Sequence, residues 1–373
     1  MKRTTSDRSV RKTVVKVATL LMLISTFAAA QQFGPWSGPT NLGPLINAPG
    51  FNTQHPAISK DGLSLYITTN RPGGPGDMDI WVSHRDTPDG TWNDPVPVPN
   101  INSAFGDAVP NLSIDGHWMY FHSNRPTWLR ADGVEVPSCG QADLYVSHRR
   151  RNWDDQHNPD DSGWELPVNL GCAINTTFSD NGPTYFHDET TGNELLYFTR
   201  LNDPLAQQIC GSSAAGDYDI FLSKRAVDGT WGTASPECDL SSSARDTRTA
   251  IRRDGLEMFI ASQRPGYVPG GTDAICGKAT GNRNPSGDLW VSTRLTTLDR
   301  WSPPVNIDHD YLDNGSPPIV NSECFDGAPA LSFDATTLFF FSFRPRPGDP
   351  SWDVNNPTAN LYVTTRTKLP DSN

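Results

Sequence analysis

The sequence has 373 residues, with 42 acidic against 30 basic side chains and a formal net charge of −12 at neutral pH. Such a surface repels phosphate backbones and anionic lipid, which argues against nucleic-acid binding or membrane insertion as the main task. Thirty-one Gly and 32 Pro, with almost no helical periodicity, are typical of a chain made of strands and turns.

The first thirty residues have the order of a secretory signal peptide. Six Lys or Arg precede an apolar run over 17–28, and small residues ending at Ala30 follow it. The run is too short to span a bilayer stably, and no later segment is apolar for long enough to be a membrane helix. No Cys stands at the expected cut, so a bacterial lipid anchor is not expected. We therefore expect cleavage near Ala30 and a periplasmic or secreted location. The mature chain then has 24 basic and 41 acidic residues, a net charge of −17.

One seven-residue stretch occurs five times along the chain. It reads DIWVSHR at 79–85, and it returns as DLYVSHR, DIFLSKR, DLWVSTR and NLYVTTR at 143–149, 219–225, 288–294 and 360–366. Each copy is preceded by two strand-like segments around a short turn, most often Asp-Gly or Asp-Ala, and four copies are followed by a Trp-Pro segment. Alternation across a tight turn predicts a hairpin, so each unit is expected to form a four-stranded antiparallel sheet.

The fifth Trp-Pro segment stands at the other end of the chain, as WSGPTNL at 36–42. Five sheets in a row without helices would leave open edges unless they pack radially. We therefore predict an all-β fold, a five-bladed β-propeller of four-stranded antiparallel blades. It forms one domain over 31–373, in which the N-terminal strand closes the last blade.

The repeated elements resemble those of a known family. D-x-x-P, S-x-D-G, S-N-R-P and D-[IL]-[WYF]-[VL]-S look like the TolB-like β-propeller repeat, a WD-repeat-like group common in exported bacterial proteins. The resemblance covers nearly all of the mature chain and is specific for the repeat type, not for an activity. It implies recognition of an envelope protein or a glycan, and we expect the chain to be a monomer.

Aspartates open the third strand of four blades, at Asp79, Asp143, Asp219 and Asp288, and Asn360 takes the fifth place. A carboxylate at this position is expected to accept backbone N–H groups of its own turn, or to pair with the arginine that ends the neighbouring strand. Those arginines are Arg71, Arg125, Arg200, Arg264 and Arg344. Because a residue repeated in every blade usually serves the blade, we assign this set a structural role.

A second set of acids precedes the innermost strands by three residues: Asp107, Asp180, Asp246 and Asp326. We call them the ring aspartates and expect them to converge on one mouth of the central channel. Such a cluster could bind a calcium ion through oxygen ligands, or supply the acid and base of a glycosidase. A structural interpretation as part of the D-x-x-P element stays open, and no other cofactor is expected.

Departures from the repeat are more informative than the repeat. The first blade has Thr53 in place of the ring aspartate, followed by Gln54 and His55. In the fourth blade, Arg248 takes the place next to the start of the innermost strand. We predict that Gln54, His55 and Arg248 contact a ligand near the channel mouth. The alternative is that the histidine and the arginine are local salt-bridge partners.

The six cysteines fall into two groups of three. Cys139, Cys210 and Cys276 lie in long loops between second and third strands, whereas Cys172, Cys238 and Cys324 lie in the connections that leave the same blades. Six cysteines allow fifteen pairings. One rule nevertheless pairs them all, as 139 with 172, 210 with 238 and 276 with 324, and export places them where disulfides persist. Their spacing does not suggest a zinc site.

No GxSxG, HExxH, phosphate-loop or dinucleotide motif is present. The acidic stretch at 154–163 lacks the Gly and terminal Glu of a calcium loop and is predicted to be a solvated turn. The first functional hypothesis is therefore a non-catalytic TolB-like propeller that binds a protein or a glycan through its loop-bearing face. The alternative is a glycoside hydrolase or polysaccharide lyase that uses two or three of the ring aspartates as acid, base or pKa modulator.

Overall fold

A computed structural model describes residues 31–130, 132–149, 163–211, 217–277, 287–346 and 352–370. Within these ranges, five four-stranded antiparallel sheets follow one another along the chain, and a two-stranded hairpin lies in one of the loops. The predicted five-bladed propeller is therefore confirmed. The predicted signal peptide and nearly all of the acidic stretch at 154–163 lie outside the described residues.

The strands are assigned to the blades in chain order. Blade one contains β2 (Thr53–Ile58), β3 (Ser64–Thr69), β4 (Asp79–His84) and β5 (Val96–Pro97). Blade two contains β6 (Asp107–Leu112), β7 (Trp118–Ser123), β10 (Asp143–His148) and β11 (Val168–Asn169), with the hairpin β8 (Thr127–Leu129) and β9 (Glu135–Pro137) between β7 and β10. Blade three contains β12 (Ser179–Asp188), β13 (Asn193–Leu201), β14 (Tyr218–Lys224) and β15 (Ser235–Pro236). Blade four contains β16 (Asp246–Ile251), β17 (Glu257–Ser262), β18 (Asp288–Thr293) and β19 (Val305–Asn306). Blade five contains β20 (Asp326–Leu331), β21 (Thr337–Ser342), β22 (Asn360–Thr365) and the N-terminal β1 (Thr40–Asn41).

The two ends of the chain close the ring in blade five. β1 is antiparallel to β22, with Thr40 opposite Val363. The contact continues beyond this short ladder, because the backbone N–H of Ser37 donates to the carbonyl of Thr365 at 2.8 Å. The predicted N-terminal closing strand is therefore confirmed.

The hydrophobic core is divided among the interfaces between neighbouring blades. Tyr66 and Ile80 of blade one, for example, pack with Phe121 and Tyr145 of blade two, and all four side chains are fully buried. Four further clusters of the same kind occupy the other interfaces. Burial between blades rather than within one blade makes each sheet depend on its neighbours, which is why the closing strand matters for stability.

Three short helices lie in the loops, where the sequence analysis expected only strands and turns: α1 (Pro204–Cys210), α2 (Asp273–Cys276) and α3 (His309–Asp313). Asp203 caps α1 by accepting the N–H of Leu205 at 2.9 Å, and Gly211 ends it with a left-handed φ of 65°. The prediction missed these helices because seven residues or fewer are too short to display a helical hydrophobic period.

The disulfides join Cys139 to Cys172, Cys210 to Cys238 and Cys276 to Cys324, as predicted. Their Cα separations of 5.5, 5.1 and 5.4 Å are ordinary for disulfides. Each bond ties a long loop to the connection that leads into the next blade, so the loop-bearing face is covalently braced. Three disulfides are consistent with an exported protein. No helix in the described ranges is long and apolar enough to cross a membrane.

Candidate functional site

The ring aspartates lie in buried ion pairs. All four are fully buried, and each carboxylate contacts the arginine at or just beyond the end of the second strand of its own blade: Asp107 with Arg125 at 2.5 Å, Asp180 with Arg200 at 2.6 Å, Asp246 with Arg264 at 2.6 Å and Asp326 with Arg344 at 2.6 Å. The predicted position three residues before the innermost strand was wrong. The backbone of Asp107 already pairs with Ser123, so the strand begins at the aspartate.

The other oxygen of each ring aspartate closes the turn before the strand. The N–H and hydroxyl of Ser103 donate to Oδ2 of Asp107 at 2.6 and 2.8 Å. The other three ring aspartates accept the same pair of bonds from Thr176, Ser242 and Ser322. Because both oxygens are occupied inside the blade, this geometry favours the structural interpretation of the ring aspartates. In the described part of the chain, no three His, Cys, Asp or Glu side chains are grouped to hold a metal ion.

Blade one shows how the same arginine is held without a carboxylate. Arg71 donates to the backbone carbonyls of Leu45 at 3.3 Å and of Ile46. Thr53, in the place of the ring aspartate, donates its hydroxyl to the carbonyl of Ile46 at 3.2 Å. The substitution therefore removes the ion pair and keeps the contact with the turn.

The aspartates of the third strands hold their own turns, which is the first of the two predicted alternatives. Asp143 accepts the N–H of Cys139 at 2.6 Å and of Gly140 at 2.9 Å. Asp79 accepts the N–H of Gly76 at 3.1 Å. Asp288 differs, because its Oδ2 accepts the N–H of Val268, which lies 20 residues earlier in the long loop before this strand.

Asp288 predicts a pH dependence of stability. Burial, with repulsion from Asp326, raises the pKa of its carboxyl to about 8. An unfolded Asp ionises near pH ~3.9, so between about pH 4 and 8 only the unfolded chain releases this proton, and the folded state loses stability as pH rises. Asp288→Asn, which copies Asn360 of blade five, should remove that loss, giving a variant a few kcal/mol more stable than wild type near pH 8. Urea unfolding at pH 4, 6 and 8 measures this, and parallel curves for both proteins would contradict it.

Five residues at equivalent positions of the innermost strands surround the channel, and we call them the channel ring: His55, Val109, Gly182, Arg248 and Ala328. Each has a left-handed backbone, with φ of 50°, 56°, 62°, 51° and 49°, and each lies at a register shift between the first and second strands. A positive φ is costly for residues other than glycine. Such backbone geometry concentrates at functional sites, and the bulge re-aims the side chain.

Two cavities meet at the channel ring. The mouth cavity, of about 200 Å³, opens on the loop-bearing face and is lined by Gln54, His55, Arg245, Thr247, Arg248, Phe325, Ala328, Phe341 and Phe343. The inner cavity, of about 130 Å³, extends toward the opposite face between all five innermost strands. His55, Arg248 and Ala328 line both cavities, so their side chains form the boundary between them.

Arg248 reaches across the channel toward blade three. Its Nη1 donates to Oδ1 of Asn181 and lies 3.4 Å from the hydroxyl of Thr199. A Cβ on Gly182 would come within 2.7 Å of that nitrogen, so only glycine leaves room for the guanidinium at this position of the ring. The partners of Arg248 in these contacts are neutral.

Two histidines lie close to this guanidinium. Burial, followed by the charge of Arg248, lowers the pKa of His122 to about 3 and that of His55 well below its ordinary value. Both rings are therefore neutral at pH 7, and within the described ranges neither Nδ1 has a hydrogen-bond partner. Burial also lowers the pKa of Arg248 to about 10, which leaves it cationic.

The mouth cavity has an aromatic side and a cationic side. Phe325 stacks on Phe341 with ring centroids 5.6 Å apart, and Phe343 packs edge-on against Phe341 at 5.9 Å. The guanidinium of Arg245 lies 4.6 Å from the centroid of Tyr218. The lining therefore offers apolar ring surface beside cationic, amide and imidazole groups.

The structure brings Gln54, His55 and Arg248 together in this cavity, whereas the ring aspartates are not among its lining residues. Sequence reasoning missed Arg245, His122 and the phenylalanines. The pair of arginines in RDTR at 245–248 was a usable signal for Arg245. His122 had none, because its sequence position is that of an ordinary second-strand residue.

No protein-family model matches the chain, and no curated protein matches it either. Solved structures to which this one is similar include the catalytic domain of a GH62 α-L-arabinofuranosidase from Coprinopsis cinerea, at 13% identity and a TM-score of 0.46, covering 90% of this chain and 98% of that one. An α-L-arabinofuranosidase from Lactobacillus brevis matches at 16% identity and 0.46, covering 89% and 98%. A Bacillus subtilis arabinanase matches at 11% identity and 0.47, covering 86% and 94%.

These findings correct two predictions. The assignment to the TolB-like repeat family was wrong, because no family model supports it and the matching structures are glycoside hydrolases. The main functional hypothesis, a non-catalytic binding module, is corrected as well, because the matching structures are glycoside hydrolases. At this identity the likeness concerns the fold alone, so the residues of the mouth cavity must carry any argument about chemistry.

Proposed function

We propose that the protein is a carbohydrate-active enzyme whose reaction takes place in the mouth cavity, and that it is a polysaccharide lyase rather than a glycoside hydrolase. One observation carries the choice of reaction. The described residues that line the cavity supply guanidinium, imidazole, amide and hydroxyl groups but no carboxylate. Hydrolysis of a glycoside normally needs two carboxyl groups roughly 5–9.5 Å apart. Elimination needs a base that removes a carbon-bound proton and a cation that stabilises the negative charge that develops there. As the double bond forms, the departing oxygen takes a proton, which the protonated base or water returns.

The cavity offers groups for each of these tasks. His55 offers a neutral imidazole with no hydrogen-bond partner at Nδ1 within the described ranges, and Arg248 and Arg245 stand beside it as cations. Burial and the charge of Arg248 lower the pKa of His55, so its strength as a base depends on an anionic substrate that offsets that charge. Phe325 and Phe341 present flat apolar surface on which the ring of a sugar can pack. A largely preformed concave site with few polar groups and perturbed pKa values is the usual form of an enzyme site.

The proposed location follows from the cysteines. Three disulfides on the loop-bearing face support action outside the cytoplasm, in the periplasm or beyond it. We propose that the first thirty residues are removed on export, that the partner is a glycan, and that the chain works as a monomer with one site at its single channel.

The test separates the two reaction classes by their products. The protein is incubated with a panel of neutral and acidic polysaccharides, and reducing ends and the ultraviolet absorbance of conjugated double bonds are followed together. A lyase raises both signals, whereas a hydrolase raises reducing ends alone. We expect His55→Gln to lower the rate of both by about 100-fold or more, the ordinary contribution of a general base.

The matched control is His84→Gln, which changes a histidine outside the mouth cavity, on the third strand of blade one. Its rate should stay within about twofold of wild type. Reducing ends without absorbance, or a rate that His55→Gln leaves unchanged, would contradict the proposal.

A further inference from the structure

We propose that Arg248 and His55 form a binding site for one carboxylate group, and that the sugar processed in the mouth cavity is a uronate bearing it. The identity of the ligand as a saccharide rests on the proposed function. The carboxylate site itself rests on the side chains at the channel ring and can be tested separately.

Arg248 places a positive charge without a carboxylate partner at the centre of the channel, within the described ranges. Arg248 is held by Asn181 and Thr199, and no carboxylate in the described ranges forms an ion pair with it. In the same blade, by contrast, Arg264 has Asp246 at 2.6 Å and Arg252 has Glu257 at 3.2 Å. A deeply placed guanidinium without a counter-ion is costly, and an anionic ligand relieves that cost.

The backbone around Arg248 holds its guanidinium in the channel. Gly182 leaves the space that the guanidinium occupies, and the left-handed backbone of Arg248 turns its side chain into the channel. Both features keep the cation where two cavities meet, rather than folded against a strand. A carboxylate entering from the mouth cavity meets Arg248 at the end of its path, and its sugar ring then lies in the 200 Å³ beside Phe341.

Charged groups near the channel ring control the protonation of its histidines. The charged or titratable groups that act on this cluster are Arg248 and Arg245 from blade four, His122 from blade two, and Tyr218, on β14 of blade three, which favours the charged form of Arg248. Asp217, beside Tyr218, interacts with Arg245. In the free protein, burial and then the positive charge of Arg248 lower the pKa of both histidines and keep them neutral.

A bound carboxylate cancels that repulsion and becomes an acceptor for an imidazolium. The pKa of His55, which lines the cavity, should therefore rise when the ligand binds, and the complex should take up a proton that the free protein does not hold. Because binding takes up a proton, the affinity for the carboxylate should increase as pH falls from 7 toward 5. A neutral sugar in the same cavity would show no such dependence.

The experiment is calorimetric titration of the full mature protein with sodium glucuronate and, in parallel, with glucose. Glucuronate should bind at least tenfold more tightly than glucose, and more tightly at pH 5.5 than at pH 7.5. The binding heat should differ between buffers of different ionisation enthalpy. Arg248→Gln should weaken glucuronate binding by about tenfold or more, while the exposed control Arg300→Gln leaves it unchanged.

If Arg248→Gln does not fold, imidazole nitrogen resonances of the wild-type protein give the answer instead. They should move toward the protonated form on addition of glucuronate. Equal binding of both sugars, or histidine resonances that do not move, would overturn the carboxylate site.

The two proposals fail differently. Glucuronate binding without turnover of any acidic polysaccharide rejects the lyase and keeps the carboxylate site. Turnover of neutral polysaccharides without glucuronate binding rejects the carboxylate site and keeps a carbohydrate-active enzyme.

Discussion

Replacing Asp246 with alanine is expected to lower the free energy of unfolding by about 3–5 kcal/mol, because Arg264 then stays buried without its counter-ion. Asp246 is fully buried, and its Oδ1 accepts from Arg264 at 2.6 Å and from the hydroxyl of Ser262 at 2.6 Å. Its Oδ2 accepts the N–H and hydroxyl of Ser242. Four bonds are lost at once, and two of the donors are buried. Urea unfolding at pH 7 gives the measurement.

The matched control is Asp239→Ala. Asp239 pairs with Arg300, whose side chain is 84% exposed, so water replaces the lost partner and the cost should be below about 1 kcal/mol. The comparison also decides between the two interpretations of the ring aspartates. A structural role predicts a large loss of stability for Asp246→Ala. Full stability with abolished activity would restore the catalytic interpretation.

The propeller was predictable because its signal is a period. Five copies of one element set the blade number, and the displaced Trp-Pro segment predicted that the N-terminal strand completes blade five, as the pairing of Thr40 with Val363 confirms. The disulfides were predictable for a related reason, since the repeat placed each pair of cysteines on one face. The short helices were not, because α1 and α2 are local features of single loops that no other blade repeats.

The pairing partners of the arginines could not be chosen from the sequence. Arg125, Arg200 and Arg264 each stand between two aspartates in the sequence, one before the innermost strand and one opening the third, and strand spacing alone allows either contact. In the structure, Arg125 takes Asp107, while Asp143 closes its own turn. The choice depends on which way the side chains point after the first strand bends, and that direction is set by packing rather than by local sequence.

The channel ring was only partly predictable for a similar reason. His55 and Arg248 stood out because they break the repeat, but their left-handed backbone could not be inferred, since Val109 shares it with a β-branched side chain that ordinarily avoids it. Gly182 is equally silent in sequence, and its role becomes visible only when the side chain of Arg248 is seen to occupy the place of its missing Cβ. Contacts between side chains of different blades make the site.

Glu257→Gln is expected to loosen the closure of the ring and to lower the free energy of unfolding by about 3–5 kcal/mol. Both carboxylate oxygens of Glu257 accept from Arg366 just beyond β22, at 2.8 and 2.6 Å, and Arg252 adds a third bond at 3.2 Å. Arg366 in turn lies 3.8 Å from the ring centroid of Phe33 and 4.5 Å from that of Trp36. The carboxylate of Glu257 therefore holds the C-terminal arginine on which two aromatic rings of the N-terminal segment pack.

Removing the charge of Glu257 leaves the buried Arg366 facing a neutral amide, while Arg252 keeps its ion pair with Asp254 at 2.8 Å. The N-terminal segment should therefore open before the rest of the molecule unfolds. Amide hydrogen exchange should therefore rise over residues 33–41 and stay near wild type in blade two, far from the closure. The control Glu194→Gln alters an ion pair with Arg225 in which both side chains are about one-third exposed. It should lower the free energy of unfolding by less than about 1 kcal/mol and leave amide exchange at the N-terminus unchanged. Unchanged exchange over 33–41 in Glu257→Gln would mean that the strand pairing of β1 alone holds the ring closed.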